Sequence, residues 1–300
     1  MAPPSETLVY GAIGVREDLL DFITNISPED NYCSKRFGRT TAKARYHEYQ
    51  TDVLGAAAAN AQLEGDDATN TAIVPTGRIG NYVQHLRKVV QVSDFIAHLD
   101  LAGRKSEIEY QQRKAIRELM GDVEYAVVLN SAAVAGSAAV APQMLGILGA
   151  ITTCKTDLVG EPITVDALNT LQHTMRQNGG KPSTILVGGF NKRKLSQILT
   201  PINTRNIDAK KEMVVFTVDA YQSDFGTVNI HYHHILDLNS PSSIIILGEL
   251  DLWKLAWARP LVKTPLAKTG DSTRVMLITS LTLEVRQEKG SALFVNASTS

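Results

Sequence analysis

Between Ser106 and Ala133, apolar side chains recur every three or four positions. Ile108, Ala115, Leu119, Val123 and Ala126 form one stripe with Ile116 and Val127 beside it, the spacing of an amphipathic helix. Ser106 and Glu109 read as a capping box, in which the hydroxyl and the carboxylate each satisfy an amide of the first turn. Glu109 and Arg113 add an i,i+4 ion pair. The pattern predicts a helix over 106–133, roughly 40 Å long at about 1.5 Å per residue, longer than the average globular helix.

On either side the period changes to two. "KARYHEYQTDVL" alternates like a strand, but both of its faces mix polar and apolar residues, and "NYVQHLRKVVQVSDF" reads as a second long strand. The stretch between them, "GAAAANAQLEGDDATNTAIVPTGRIG", has no sustained period. Two long strands joined by a loose tip make an extended hairpin. A ribbon with two half-polar faces is marginal alone in water, so its stability must come from packing outside its own domain, with a neighbouring subunit as the natural candidate. Near the C-terminus, Val275, Leu277, Leu281, Leu283 and Val285 share one face of another long strand.

From Leu145 to Asp251 helix and strand patterns mix. Thr164 can cap a helix "VDALNTLQHTMRQ" that stops at Asn178-Gly179-Gly180; "STILVGG" and "SSIIILGEL" are apolar enough to be strands buried on both faces, and "NKRKLSQIL" is helical. A hairpin turns through Ser223 to Gly226. Residues 1–40 combine an amphipathic piece, "REDLLDFITNI", turn formers "SPEDN" and a basic run "SKRFGR". They read as an arm lying over something else.

Composition narrows the function classes. The chain has 300 residues with 30 basic and 31 acidic side chains and a net charge of -1, which gives no reason to expect tight, charge-driven binding to nucleic acid. Cys33 and Cys154 lie far apart without a CxxC partner, so reduced thiols are the expectation. The first residues lack the basic and apolar regions of a secretory signal. Ala126 through Cys154 carries no charge, but Asn130, Ser131, Ser137, Pro142 and Gln143 argue for a buried helix end and a small-residue connection, not a membrane span.

The candidate chemistry is sparse. Lys268, Thr269 and Gly270 hint at a phosphate loop, but the glycine follows the lysine and a strand comes next, whereas the motif needs its glycine first and a helix after. They read as a turn. His231 and His233 share a strand face that could hold a metal, with His234 adjacent, but no nearby carboxylate or cysteine completes a ligand set. Gly188 and Gly189, followed by Lys192, Arg193 and Lys194, make an anion site conceivable, without the GxGxxG spacing. Glu64 to Asp67 read as a solvated turn more than a hard-cation site. No catalytic, cofactor-binding or metal residue is assigned, and no cofactor is expected.

Taken in order, "GVREDLLDFITNISPEDN", "RYHEYQTDVL", "RIGNYVQHLRKVVQVS", "AGRKSEIEYQQRKAIRELMGDVEYAVV", "ILVGGFNKRK", "YQSDFGTV", "ARPLVKTPLAKTGDS" and "LTLEVRQEKG" resemble the major capsid proteins of tailed bacteriophages, in a podovirus-like branch. The resemblance covers nearly the whole chain. It implies an α+β chain with the Hong Kong-97-type capsid fold: an N-terminal arm at 1–40, an extended E-loop hairpin at 41–93, a peripheral domain at 94–144 and 252–300 with the spine helix 106–133, and an axial domain at 145–251. It further implies a non-enzymatic virion protein, assembled in the cytoplasm of a bacterial host into hexamers and pentamers of an icosahedral head. The packaged double-stranded DNA would be held by weak, non-specific contact, with scaffold, portal and cement proteins as further partners and no membrane. The arm is too short for a cleaved scaffolding segment, and the residues of a lysine–asparagine cross-link find no match. An encapsulin-like nanocompartment shell is the alternative of the same fold. A nucleotide-binding α/β enzyme using "LVGGFNKRK" is the alternative of another class.

Overall fold

The computed structural model describes residues 31–52, 75–99, 101, 106–203 and 219–299, with most positions between 54 and 73. In chain order, α1 (Tyr32–Arg36) leads to β1 (Gly38–Thr41), the hairpin β2 (Tyr46–Thr51) and β3 (Gly77–Tyr82), then β4 (Gln84–Ser93) and the long α2 (Glu107–Leu129). Next come α3 (Ile147–Ala150), β5 (Lys155–Asp157), α4 (Val165–Gln177), β6 (Thr184–Val187), α5 (Gly189–Asn203), β7 (Ala220–Ser223), β8 (Gly226–Tyr232) and α6 (His234–Asn239). The chain closes with β9 (Ile244–Leu247), β10 (Trp253–Pro265), β11 (Ser272–Val285) and β12 (Ala292–Val295). The amphipathic piece expected at 16–26 lies outside the described residues.

A four-stranded sheet of order β1-β10-β11-β4 carries α2 on one face. Ala115 and Leu119 of the helix pack on Leu277, with Leu86, Val90 and Ile116 around them, and every residue of the predicted β11 face from Val275 to Val285 is buried. The second sheet has six strands in the order β5-β12-β9-β6-β8-β7. Its central strands β6 and β9 are buried throughout, and apolar but for Thr184, because both faces are covered. Ile185, Val187, Ile244 and Ile246 meet Leu168, Leu171, Met175, Leu195 and Leu199 of α4 and α5. Leu186, Ile245 and Leu247 face the other way, into a core shared with Val123, Ala126 and Val127 of α2 and Trp253, Leu255, Leu281 and Leu283 of the first sheet. The two sheets are therefore joined through packed side chains and not through a linker.

Four expectations are corrected. The long helix ends at Leu129, not 133, because Asn130 leaves helical backbone and its amide donates to the Met144 carbonyl and to Gln84 Oε1, both at 2.9 Å. Its capping box does not form: Ser106 makes no side-chain cap bond, although Thr164 does cap α4 as expected, accepting from Ala167 N at 3.2 Å. The return strand of the hairpin, expected as one run, is two strands. β3 pairs with β2, while β4 changes partner and pairs with β11, so the segment 41–93 is a hairpin only in part. Finally, residues 252–300 do not all join the sheet under α2. β12 inserts into the six-stranded sheet between β5 and β9, using the consecutive apolar residues Ala292, Leu293 and Phe294, all buried because both faces of the sheet are covered.

Candidate assembly surface

The hairpin β2-β3 belongs to neither large sheet, and its root is bolted by polar bonds to β11 and to the connection after α2. Asn81, buried, accepts from Leu145 N at 2.9 Å and donates to the carbonyls of Leu145 (3.0 Å) and Leu283 (2.9 Å). The Tyr49 hydroxyl accepts from Val285 N at 3.1 Å, and Arg45 donates to the carbonyls of Ala135 and Gly136. Gly80 is required here by close approach: a Cβ on it would lie 2.7 Å from Tyr46 Cε1 and 2.8 Å from His47 O. Tyr46 in turn packs on Tyr82 across the strand pair, ring centroids 4.7 Å apart.

Glu284 is the charged anchor of this root. Its carboxylate accepts from Arg286 Nε (2.7 Å) and Thr40 Oγ1 (2.9 Å) and lies 3.4 Å from His47 Nε2. Burial pushes the carboxyl up, but the bonds from Arg286, Thr40 and His47 and the Arg286 charge outweigh it and hold Glu284 below the ordinary glutamate range. Beyond the β2-β3 ladder, among the described residues, Leu54, Leu63 and Ile73 are 93%, 81% and 92% exposed, so large apolar side chains stand in water there, as on surfaces built for contact with another molecule.

The residues singled out from sequence do not converge on one site. Lys268, Thr269 and Gly270 form the turn between β10 and β11. Lys268 pairs with Asp94 at 2.5 Å, Arg274 donates to Thr269 Oγ1, and Gly270 takes φ +86° in the left-handed region that favours glycine. Asp94 is held below the ordinary range by its bonds from Lys268 and Thr273. At "LVGGFNKRK" the start of α5 already holds an anion of the chain's own, since Gly189 N donates to Asp237 Oδ1 at 2.6 Å, and Lys192 pairs with Asp219. His231 packs on the Tyr32 ring at 4.8 Å. Glu64 and Asp67 are exposed, and Asp66 lies outside the described residues.

His233 departs from expectation. The carboxylate and cysteine that are missing nearby in sequence are supplied by the fold, 109 residues away in Glu124 and from α1 in Cys33. All three are fully buried, and one ligand atom of each lies within 4.8 Å of the others. Their donors and acceptors are already matched. Glu124 accepts from Cys33 N (2.7 Å), Ser34 N (2.8 Å), the Ser34 hydroxyl and His233 Nε2 (3.0 Å). His233 Nδ1 accepts from Leu236 N, which puts the imidazole proton on Nε2, the atom a metal would need bare. The trio fits a hydrogen-bonded hub and not a metal centre. The one sequence signal for it was an acidic residue set next to Val123 on the apolar stripe of α2.

Comparison with known proteins bears on the whole chain. Residues 5–298 match the family model described as the SU10 major capsid protein. The major capsid protein of Escherichia phage Phieco32 is 32% identical over 125 residues, 41% of this chain and 36% of that relative's length. Among solved structures, the Cyanophage A-1(L) capsid asymmetric unit aligns with a TM-score of 0.70 at 11% identity, over 95% of this chain and 97% of that one. The holo-SrpI encapsulin complex from Synechococcus elongatus PCC 7942 aligns with a TM-score of 0.60 at 12% identity over 93% of each.

Proposed function

Because the chain belongs to the SU10 major capsid protein family, we propose that it builds the head of a tailed phage as hexamers and pentamers of an icosahedral shell around double-stranded DNA. It has the Hong Kong-97-type capsid fold. The four-stranded sheet with α2 then corresponds to the peripheral domain, the six-stranded sheet to the axial domain, and the hairpin to the E-loop. The observation that carries this reading is the hairpin itself, pinned at its root by Asn81, Tyr49 and Glu284 and exposing Leu54, Leu63 and Ile73 beyond it. A rigid base with an apolar, uncovered far end is what a subunit needs to lay a ribbon over its neighbour. Interfaces larger than the roughly 1,600 Å² of ordinary stable complexes are expected, formed without covalent links.

The DNA would be held by weak, non-specific contact, consistent with the net charge of -1. Scaffold, portal and cement proteins are the further partners, and assembly takes place in the host cytoplasm before the protein becomes part of the virion. An encapsulin-type shell shares the fold, and family membership favours the phage reading over it. The nucleotide-enzyme reading loses its support where Asp237 occupies the start of α5. Electron microscopy of the purified chain, alone and with candidate scaffold, tests the proposal: closed shells or hexameric sheets are expected, and a monomer under both conditions would overturn it.

A further inference from the structure

Glu124 belongs to α2, yet its carboxylate occupies the N-terminal end of α1. The amides of Cys33 and Ser34 are the second and third of that helix, and Asn31, at the usual cap position, makes no side-chain cap bond. A five-residue helix has no stability of its own, so the cap that holds it comes from another element. The same carboxylate bonds His233, which is itself the cap of α6 through Leu236 N. From α6, Asp237 caps α5 at Gly189 N. One line of bonds therefore joins the starts of α1, α6 and α5, with Glu124 at its head.

We propose that Glu124 is an acid-releasable latch that holds residues 31–41 onto α2 and the six-stranded sheet. The titratable groups facing it are the Cys33 thiol from α1 and the His233 imidazole from the start of α6. Burial and the Glu124 carboxylate push the Cys33 thiol up, and the His233 imidazole presents its Nε2 to the carboxylate while Nδ1 accepts from Leu236 N. Burial pushes Glu124 up, but the bonds from His233, Ser34 and Cys33 prevail and hold it below its ordinary range. Protonation puts a hydrogen on one oxygen, where it conflicts with the two donors already there, Cys33 N and His233 Nε2 on Oε1 or Ser34 N and Oγ on Oε2, and it weakens the two bonds on the other oxygen. The segment it loosens is otherwise attached by the short parallel ladder of β1 on β10, by Thr40 to Glu284, by the Tyr32 ring on His231 and by Cys33 and Phe37 in the shared core. Opening becomes tenfold more favourable for each pH unit between the ordinary glutamate pKa, about 4.3, and the folded value.

Cys33 reports the latch directly, because it is fully buried and Cys154 is the only other cysteine. The full-length Cys154→Ala chain would be labelled with 4,4′-dithiodipyridine, a thiol reagent active in acid, across a pH series, with far-UV circular dichroism following the remaining fold. The expected result is labelling that rises about tenfold per pH unit below the ordinary glutamate pKa while the dichroism is unchanged. Glu124→Gln should label fast at every pH with a flat profile. Ser34→Ala, a milder change that keeps the test open if the glutamine variant does not fold, should label faster at neutral pH and respond less to acid. Labelling that rises only together with loss of the dichroism signal, with the same profile in Ser34→Ala, would overturn the proposal.

Discussion

Gly80 has its place because the Tyr46 ring and the His47 carbonyl leave no room for a methyl group. Gly80→Ala should cost about 1–3 kcal/mol, read by chemical denaturation of the unassembled chain. Glu284 makes a prediction about pH. Its folded pKa is depressed, so the stability it contributes is present above the ordinary glutamate value and is lost as pH falls through the folded one. Glu284→Gln should therefore flatten the fall in stability as pH drops below the ordinary glutamate pKa, about 4.3, measured by denaturant midpoints at each pH. Single residues were the least legible part of the sequence. Glu124, Cys33 and His233 meet only in space, with 91 and 109 residues between them, and no local period points to such a meeting. Asp237 at Gly189 was equally invisible, although the glycines themselves were noticed.

Secondary elements were easier to read wherever one physical rule governs them. The stripe on α2 and the apolar runs of β6 and β9 were plain, because burial on one face or on both imposes a period or removes it. The split between β3 and β4 was hidden. Alternation continues across Val83, which turns inward onto Ala42 and Ala256, so nothing in the pattern marks a change of partner. The helix end at Leu129 escaped for a similar reason, since the bonds that stop it run from Asn130 to Gln84 and Met144. The hairpin carries the prediction at this scale. Replacing residues 54–74 with a short turn, which keeps the β2-β3 ladder and the Asn81 anchor, should leave a subunit with unchanged unfolding behaviour that no longer assembles. Shells at normal yield from that variant would remove the hairpin from the interface.

At the scale of the molecule, two sheets share a core into which α2, β10 and β11 all contribute, so unfolding of the subunit should be a single cooperative transition, seen as coincident denaturant curves by fluorescence and by dichroism. Contacts made by exposed leucine and isoleucine also predict that assembly tolerates moderate sodium chloride and is promoted by sulfate, which light scattering would follow. The sheets change over between β9 and β10, next to residue 252, but the sequence pattern did not show that β12 crosses back to the six-stranded sheet. That crossing bears on how the chain is made. Among the described residues β5 is paired only through β12, so until residues 292–295 have left the ribosome the six-stranded sheet lacks its β5 edge and β9 has only β6 beside it. A chain that stops before residue 292 is thus left with the free edge of β9 open, a template for pairing with another incomplete chain.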